Sequence, residues 1–547
     1  MIPSRPARIA LVGLPLLIAW AVWLTPLSFV PLPWPDDSAF YFVGRSLFQW
    51  PPRWVMLTQA PFEPTYRIWN FNTMPLYPVL MGLGRFVGID GIWAIKFWPL
   101  VFYALSGSLL SAWTFRAGLH PAAALLVGLA FMLDPNMRWA SVLCRPESLI
   151  GLCGMALVLG LTFGFPEKLR ERGRFWNPVS ALLAIAAYAH FNAVHLLFPV
   201  VLAFVLEKDL RRLVRAGLVT ALYLSPWVIT VLAHPSIFFS QLELQFTRLS
   251  FHNEWLDSPA RALGGVFQDL GSPEPWPGLL HPTAYAIWAL LIAGVALGVV
   301  APILRRVRRG PRSSDRAMIP AGGWVLGSIW LWESKPETWF TYYLHEATWT
   351  FAAVALTVAW RHRSETKDGP RAASRFAFGG LAALLGYVTL VFGWVDVAQA
   401  WRLGQERSWH WDVYQDYVDC IAEHLADTEA RLGHPKPFRV WGPTFPDVLV
   451  ELSRRHPDWE FSRTNDFSDR NDLALQHGRD VDAVVVSEAF AWDEREISAP
   501  QSEHPEMQSL WMTWDEHYLN SLWKEDGWKP NRYVCQRARW IAFIFEK

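Results

Sequence analysis

Charged residues are scarce in this chain. Asp, Glu, Lys and Arg make up 18% of its 547 residues, whereas 52% are hydrophobic. A soluble domain averages about 25% charged residues, so this composition indicates a polytopic membrane protein. The formal net charge is +0, and a chain without an excess of basic residues is not expected to bind nucleic acid. The positions of the few charges therefore carry more information than their number.

Cysteine is rarer still, with four residues in the chain. Their spacing does not resemble that of a zinc site. Cys420 and Cys535 lie in the C-terminal part, where an oxidising compartment would allow a disulfide bond; buried free thiols are the alternative. The sequence shows no internal repeat and no low-complexity tract, so a repeat architecture is not expected.

Aromatic residues are abundant, with 33 Trp and 34 Phe, and Trp is enriched where a membrane meets water. The apolar runs predict about eleven membrane-spanning helices. They cover residues 9–30, 93–115, 121–133, 148–165, 178–189, 193–206, 213–233, 281–303, 317–332, 341–360 and 376–399. Trp20, Trp23 and Pro26 replace the small-residue cleavage site of a signal peptide, so the first run is expected to remain as an uncleaved helix.

The basic loops between these runs predict the topology. The positive-inside rule places them in the cytoplasm together with the N-terminus. A single helix over 178–206 would put its flanking basic loops on opposite faces, so two short helices meeting near His190 are predicted. The same argument divides 121–165. The segments expected on the outer face, the first with interfacial helices, are 31–92, 134–147, 234–280 and 333–340.

The chain changes character near residue 400, where charge rises and apolar runs shorten to strand length. We therefore predict a membrane domain over 1–399 and a small soluble α/β domain over 400–547, with the C-terminus on the outer face. Hydrophobic periodicity and β-branched runs give the elements of this second domain. They are helices over 412–425 and 446–455 and strands over 438–441, 483–486 and 540–545.

An acidic pair, Asp36-Asp37, lies just beyond the first apolar run. Asp after Pro at a helix start can cap the helix, and this is the structural interpretation. The functional interpretation is a general base, because a carboxylate near apolar surface has a raised proton affinity. Two adjacent carboxylates could also hold a hard divalent cation such as Mg or Mn; no other cofactor is indicated.

Further polar groups lie on the predicted outer face. Arg145 and Glu147 lie at the start of an apolar helix. They form either a weak surface ion pair or part of a functional site, and the second is a candidate because charges at a membrane edge are often functional. Lys335, followed by Tyr342 and Tyr343, either reaches for the interface or holds a lipid-linked phosphate.

Two more candidates are less specific. His190, Asn192 and His195 lie at the predicted helix junction, where a structural role competes with substrate binding. Arg67 in the first outer segment is either a headgroup anchor or a phosphate contact.

Taken in order, these segments resemble the GT-C superfamily of glycosyltransferases that use polyprenyl-phosphate sugars, especially the bacterial relatives of protein mannosyltransferases and aminoarabinose transferases. Asp36-Asp37 stands in the place of the family's acidic pair, and Thr-Met-Pro-Leu-Tyr-Pro at 73–78 resembles its "HPPLYP" segment. Glu147 falls where the second acidic residue lies. Residues 335–343 resemble the segment before a late helix that meets the lipid carrier. The similarity covers about residues 1–400 and implies a GT-C fold.

The chain departs from the family pattern at two positions. Met74 stands where the family has a basic residue or histidine before the proline. The missing carrier contact is therefore expected from Asn72 or Arg67. Glu147 is one methylene longer than the aspartate often found at its position.

The resemblance implies an inverting transfer at the outer face of a bacterial inner membrane, with the C-terminal domain in the periplasm. Lys335, Arg145 or an arginine of the first outer segment would hold the phosphate of the donor. Asp36 would accept the proton of the attacking hydroxyl, while Asp37 and Glu147 orient the acceptor or bind a metal. The transferred group would be a hexose or pentose, and the acceptor a lipid, a glycan or a protein.

Two other functions remain open at the level of sequence. A transporter or flippase would use the acidic pair to couple ions or bind cargo, and a scaffold for envelope assembly would bind partners through the tail. Transporter sites favour charges at the membrane midplane and inverted repeats. Here the charges gather at the outer edge and no such repeat is visible, which favours the transferase.

Overall fold

The computed structural model describes most of the chain. The described residues are 5–24, 35–54, 69, 71, 73–141, 143, 145–169, 176–248, 277–309, 313–334, 338–365, 371–405, 411–433, 437–441, 448–462, 482–488, 529–535 and 540–546. The following statements concern these residues only.

The described chain is predominantly helical. Its helices are α1 Arg5–Leu24, α2 Pro35–Leu47, α3 Leu76–Gly84, α4 Ile92–Arg116, α5 Pro121–Met132, α6 Pro135–Ala140, α7 Glu147–Phe163, α8 Pro178–Ala189, α9 Leu197–Leu206, α10 Leu210–Ala233, α11 Pro235–Arg248, α12 Pro277–Val295, α13 Ala301–Arg309, α14 Ser313–Ser334, α15 Thr338–Glu365, α16 Arg371–Gln405, α17 Trp411–Leu432 and α18 Leu449–Arg455. A π-helical segment, Ala296–Val300, joins α12 to α13.

The described part of each of the eleven apolar runs is largely helical, and residues 25–30 of the first run lie outside the described residues. By length and composition, the helical stretches long and apolar enough to cross a membrane are Ile92–Arg116, Leu210–Ala233 and Ala286–Arg306. Shorter apolar stretches of 10–17 residues include Glu147–Phe163 and Phe378–Trp394. These helices are those of an integral membrane protein, whereas the number of spans stays a prediction.

Both predicted helix breaks are present. α8 ends at Ala189, and His190 has an extended backbone with φ −166° and ψ 154°. Its Nδ1 accepts a hydrogen bond from the backbone N–H of Asn192 at 3.1 Å, which starts the 3-10 helix Phe191–Leu196 that leads into α9. Between α5 and α7, the described residues form the short helix α6, and residues 141, 143, 145 and 146 after it are not helical. The charge-parity argument therefore located both breaks correctly.

Small residues let the helices approach one another closely, as is common for helices in membranes. A Cβ added to Gly128 of α5 would overlap Ser111 of α4. A Cβ added to Gly322 of α14 would lie 2.5 Å from the Cα of Gly298. In α2, a Cβ on Gly44 would overlap the backbone oxygen of Pro78. The last contact brings the 73–78 segment against the helix that carries the acidic pair.

The tail contains a five-stranded mixed sheet. Strand order is β2-β1-β3-β5-β4, where β1 pairs in parallel with β2 and β3, and β5 pairs antiparallel with β3 and β4. The strands are β1 Arg439–Trp441, β2 Glu460–Ser462, β3 Ala483–Glu488, β4 Lys529–Cys535 and β5 Trp540–Glu546. The predicted strands are present as β1, β3 and β5; the sequence analysis missed β2 and β4. Pro530 in β4 is tolerated because β4 is an edge strand.

Helix α17 covers the predicted 412–425 segment, and α18 covers the described part of 446–455. Cys420 of α17 and Cys535 of β4 form a disulfide bond, across a sequence separation of 115 residues. The two cysteines are therefore bridged rather than buried free thiols. Whether residues 400–547 fold as an independent domain stays a prediction.

The tail packs on α2 and on the start of α4. Arg45 of α2 donates to the backbone oxygen of Ser453 at 3.0 Å and to its hydroxyl at 2.8 Å. Glu451 accepts from the backbone N–H of Ile92 at 3.0 Å, which satisfies one of the free N–H groups at the first turn of α4. Gly91, with φ 60°, lies directly under this carboxylate. Helix α18 thus holds two helices of the membrane part.

Replacing Gly91 by alanine should destabilise this contact. A Cβ there would lie 2.5 Å from Glu451 Oε1 and 3.2 Å from Arg454 Cδ. Gly88 is the control for a positive φ without contacts, because its φ is 81° and nothing lies within 4 Å of the position of an added Cβ. Gly88→Ala should lose about 1 kcal/mol from its left-handed backbone. Gly91→Ala should lose about 2 kcal/mol or more, because φ 60° with ψ −137° strains any residue but glycine and because the added Cβ overlaps Glu451. Thermal unfolding in detergent measures the difference, and equal losses would contradict this packing.

Candidate functional site

The predicted site residues fall into two groups. Asp36 and Asp37 lie in the first turn of α2, with side chains outside the described residues. Lys335, Arg67 and Asn72 also lie outside the described residues. Their roles stay predictions. The other predicted residues, Arg145, Glu147, His190, Tyr342 and Tyr343, are described.

Arg145 and Glu147 form an ion pair at the start of α7, with Arg145 Nε 3.4 Å from Glu147 Oε1. Pro146 between them provides no side-chain cap. Glu147 is only 3% exposed, so the pair is not the weak surface pair that was one of its two interpretations. A buried carboxylate needs a charged or hydrogen-bonding partner, and the guanidinium of Arg145 provides one.

One aromatic residue of α15, Tyr343, faces this region. Tyr342 and Tyr343 are both buried. The amide nitrogen of Asn192 lies 3.5 Å from the hydroxyl of Tyr343, and the ring of His195 lies 4.7 Å from the ring of Tyr343. The charges of Glu147 and Arg145 both act on the Tyr343 hydroxyl. The start of α7, the helix junction at 190–196 and the first turns of α15 therefore meet in one place.

The two histidines at the helix junction form different hydrogen bonds. His190 is half-buried and caps the 3-10 helix through its Nδ1. His195 is buried, and its Nδ1 lies 2.6 Å from the backbone oxygen of Asn192. The ring of His195 contacts the ring of Tyr343. The capping contact gives His190 a structural task, and its predicted role in substrate binding stays untested.

One turn further along α15 lies Glu346, which sequence reasoning missed. It is 3% exposed and interacts electrostatically with Glu147. Its carboxyl group lies against Gly151, where a Cβ would overlap it. Glu147 and Gly151 are four residues apart on α7 and share one face of that helix, as Tyr343 and Glu346 do on α15. An acidic residue within an apolar helix was the sequence signal available for it.

A second buried network joins the loop before α7 to α15. Asp134 Oδ2 lies 2.6 Å from His345 Nδ1 and accepts from Trp349 Nε1 at 2.7 Å. Its Oδ1 accepts from the backbone N–H of Asn136 at 2.9 Å. Asp134 and His345 have no exposed surface. The sequence placed Asp134 on the outer face but did not link it to His345, although both are ionisable residues in apolar surroundings.

The site combines a cation, two carboxyl groups and phenol hydroxyls within an apolar helix bundle. This set can hold a polar, partly anionic substrate and can exclude water around it. Among the described residues, no group of three His, Cys, Asp or Glu side chains could hold a metal ion.

The fold is similar to that of solved structures. The chain aligns with ArnT from Cupriavidus metallidurans bound to undecaprenyl phosphate at a TM-score of 0.53 and 14% identity, covering 98% of each chain. It aligns with the apo state of the same protein at a TM-score of 0.52 and 13% identity, covering 97% of each chain. No family model and no curated protein matches the sequence. The chain thus has the ArnT fold, and the resemblance to GT-C proteins is confirmed at the level of the fold.

Replacing Asp134 by asparagine should test whether its network holds α15 in place. Asparagine has the same size as aspartate, but its NH₂ group would face His345 or Trp349, which need an acceptor. We expect a loss of about 2–3 kcal/mol, because a buried group that loses its partner costs about 1–3 kcal/mol and more when charged. Trp349→Phe removes one donor only and should cost less, about 1 kcal/mol. Thermal unfolding in detergent compares them; equal stability of Asp134→Asn and the wild type would refute the network.

Proposed function

We propose that this chain is an integral-membrane glycosyltransferase that takes a sugar from a polyprenyl-phosphate-linked donor. The observation that carries the proposal is the alignment with ArnT over 98% of both chains. That neighbour was solved with undecaprenyl phosphate, a lipid phosphate of the class predicted for this chain. The buried polar cluster at one end of an apolar bundle provides a place where such a donor can react.

Positive charge near the leaving group is the first requirement of this reaction. As the sugar departs, the lipid phosphate gains negative charge, and preorganised cations stabilise it. Arg145 brings a guanidinium to the cluster, and guanidinium groups match phosphate geometry. Lys335 precedes α15 by three residues and is proposed as a second phosphate contact, with Tyr342 and Tyr343 as hydroxyl donors. Arg67 and Asn72 are proposed contacts from the first outer segment.

The second requirement is a base for the acceptor. In the proposed reaction the acceptor oxygen attacks the anomeric carbon, the bond to the phosphate breaks and the configuration inverts. The hydroxyl proton passes to Asp36. Glu147 is already paired with Arg145, which suits orientation of the acceptor better than proton transfer. Asp37 is proposed to orient the acceptor with Glu147.

The reaction is proposed to take place on the outer face of a bacterial inner membrane, with the tail in the periplasm. The disulfide bond between Cys420 and Cys535 supports this side, because disulfides persist in oxidising compartments. The acceptor, a lipid, a glycan or a protein, would approach from the same side. The transferred group is proposed to be a hexose or pentose.

Asp36→Asn provides the direct test. Asn caps a helix about as well as Asp, so the variant preserves a capping role and removes only the base. Transfer of radiolabelled sugar from a panel of undecaprenyl-phosphate sugars should fall at least about 100-fold, as expected for loss of a general base. The matched control is Asp37→Asn, which should lose less. Adding EDTA to the wild type tests the proposed Mg or Mn site at this pair.

The outcomes separate the competing functions. Equal transfer by the wild type and Asp36→Asn would leave the transferase but remove Asp36 as its base, and the capping interpretation would stand. No transfer by a folded wild type across the whole panel would contradict the transferase and favour transport or scaffolding.

A further inference from the structure

Glu346 brings a buried carboxyl group to the site. Its Oε2 is buried and has no hydrogen-bond partner among the described residues. Burying a carboxyl group in this way is costly unless something supplies a hydrogen bond. Gly151 permits the approach, because any side chain at that position would overlap the carboxyl group. Gly151 thus leaves space for the Glu346 carboxyl group, although no described residue forms a hydrogen bond with its Oε2.

Glu346 is accompanied by other buried polar atoms of the same kind. His195 Nε2, Trp324 Nε1 and Ser328 Oγ are buried and have no hydrogen-bond partner among the described residues. The ring of His195 lies 6.5 Å from that of Trp324 and 4.7 Å from that of Tyr343. Trp324 and Ser328 are one turn apart on α14, and Trp324 packs against Gly154, three residues beyond Gly151 on α7. These atoms therefore surround the region between α7, α14 and α15.

The mixture of donors and acceptors identifies the kind of ligand. The indole N–H of Trp324 can only donate, whereas the carboxyl oxygens of Glu346 can accept. A sugar hydroxyl can do both at once. A phosphate is a poorer match at Glu346 than at Glu147, because Glu147 is paired with the guanidinium of Arg145, whereas no ion pair to Glu346 is seen among the described residues. Aromatic faces from Trp324 and Tyr343 add apolar surface of the type that covers a sugar ring.

We propose that Glu346 contacts the sugar of the lipid-linked donor by accepting a hydrogen bond from one of its hydroxyl or amino groups, with His195 and Trp324 beside it. The proposal rests on the glycosyltransferase function above. It divides the site into a phosphate end at Arg145 and a sugar end one turn deeper at Glu346. Glu346 would then determine which sugar is accepted rather than how the lipid is held.

The test compares Glu346→Gln and Glu346→Leu with Thr348→Val. Thr348 is a matched control, because it is buried on the same helix and, among the described residues, its hydroxyl donates only to the backbone oxygen of Leu344 in that helix. With the donor that the wild type uses best, Glu346→Leu should lower kcat/KM about 10- to 100-fold, as for a lost charged hydrogen bond. Glu346→Gln should lose less, and Thr348→Val should stay within about two-fold of the wild type.

Two further measurements distinguish a sugar contact from a structural role. The first uses a series of donor sugars that each lack one hydroxyl or amino group. The loss of kcat/KM caused by Glu346→Leu should disappear for the one donor that lacks the group Glu346 contacts. Binding of undecaprenyl phosphate, which carries no sugar, should be unchanged in Glu346→Gln.

Each other outcome overturns the assignment. An equal penalty for every donor, or weaker binding of undecaprenyl phosphate, would mean that Glu346 supports the fold or binds a structural water. Wild-type transfer with no loss in either Glu346 variant would overturn this assignment alone. No transfer by the wild type would overturn the proposed function and this assignment together.

Discussion

The arrangement of this protein depends on how buried carboxyl groups are satisfied inside an apolar helix bundle. Glu147 is paired with Arg145, and Asp134 accepts hydrogen bonds from α15 and from its own loop. An unpaired charge in such surroundings costs several kcal/mol, so these contacts restrict where Asp134, Arg145 and Glu147 can lie. The position of Glu147 at the start of α7 follows from the way this loop is tied down.

Helix α15 serves two purposes because successive helical residues point about 100° apart. His345 turns toward Asp134, whereas the next residue, Glu346, turns toward Gly151. One face thus fixes the loop before α7, and the neighbouring face contributes to the polar cluster with Tyr343. A helix held on one side by a buried hydrogen-bond network is a rigid support for side chains on the other side. The geometry of the cluster is therefore linked to the Asp134 network.

The sequence predicted the helices well because long apolar runs leave few alternatives, and charge parity then located the breaks near 134–147 and 190. It predicted much less of the site. His345 and Glu346 are ionisable residues within an apolar run, which marks them as functional candidates. Their partners, Asp134 and Gly151, are about 200 residues away, so local sequence patterns do not reveal the contacts. Strand β2, three residues long, and strand β4, with Pro530 at a sheet edge, lack the alternating pattern that reveals strands.

The tail contacts α2, the helix that carries Asp36 and Asp37, and helps to fix its position. Arg45 near the end of α2 is held by Ser453, and Gly44 lies against the backbone of Pro78. A helix of 13 residues is about 20 Å long and nearly rigid at this length, so fixing its last turns also sets the direction of its first turn. Asp36 and Asp37 are in that first turn. A shift of α18 would therefore have to be accommodated by α2, which makes the tail part of the framework that supports the proposed base.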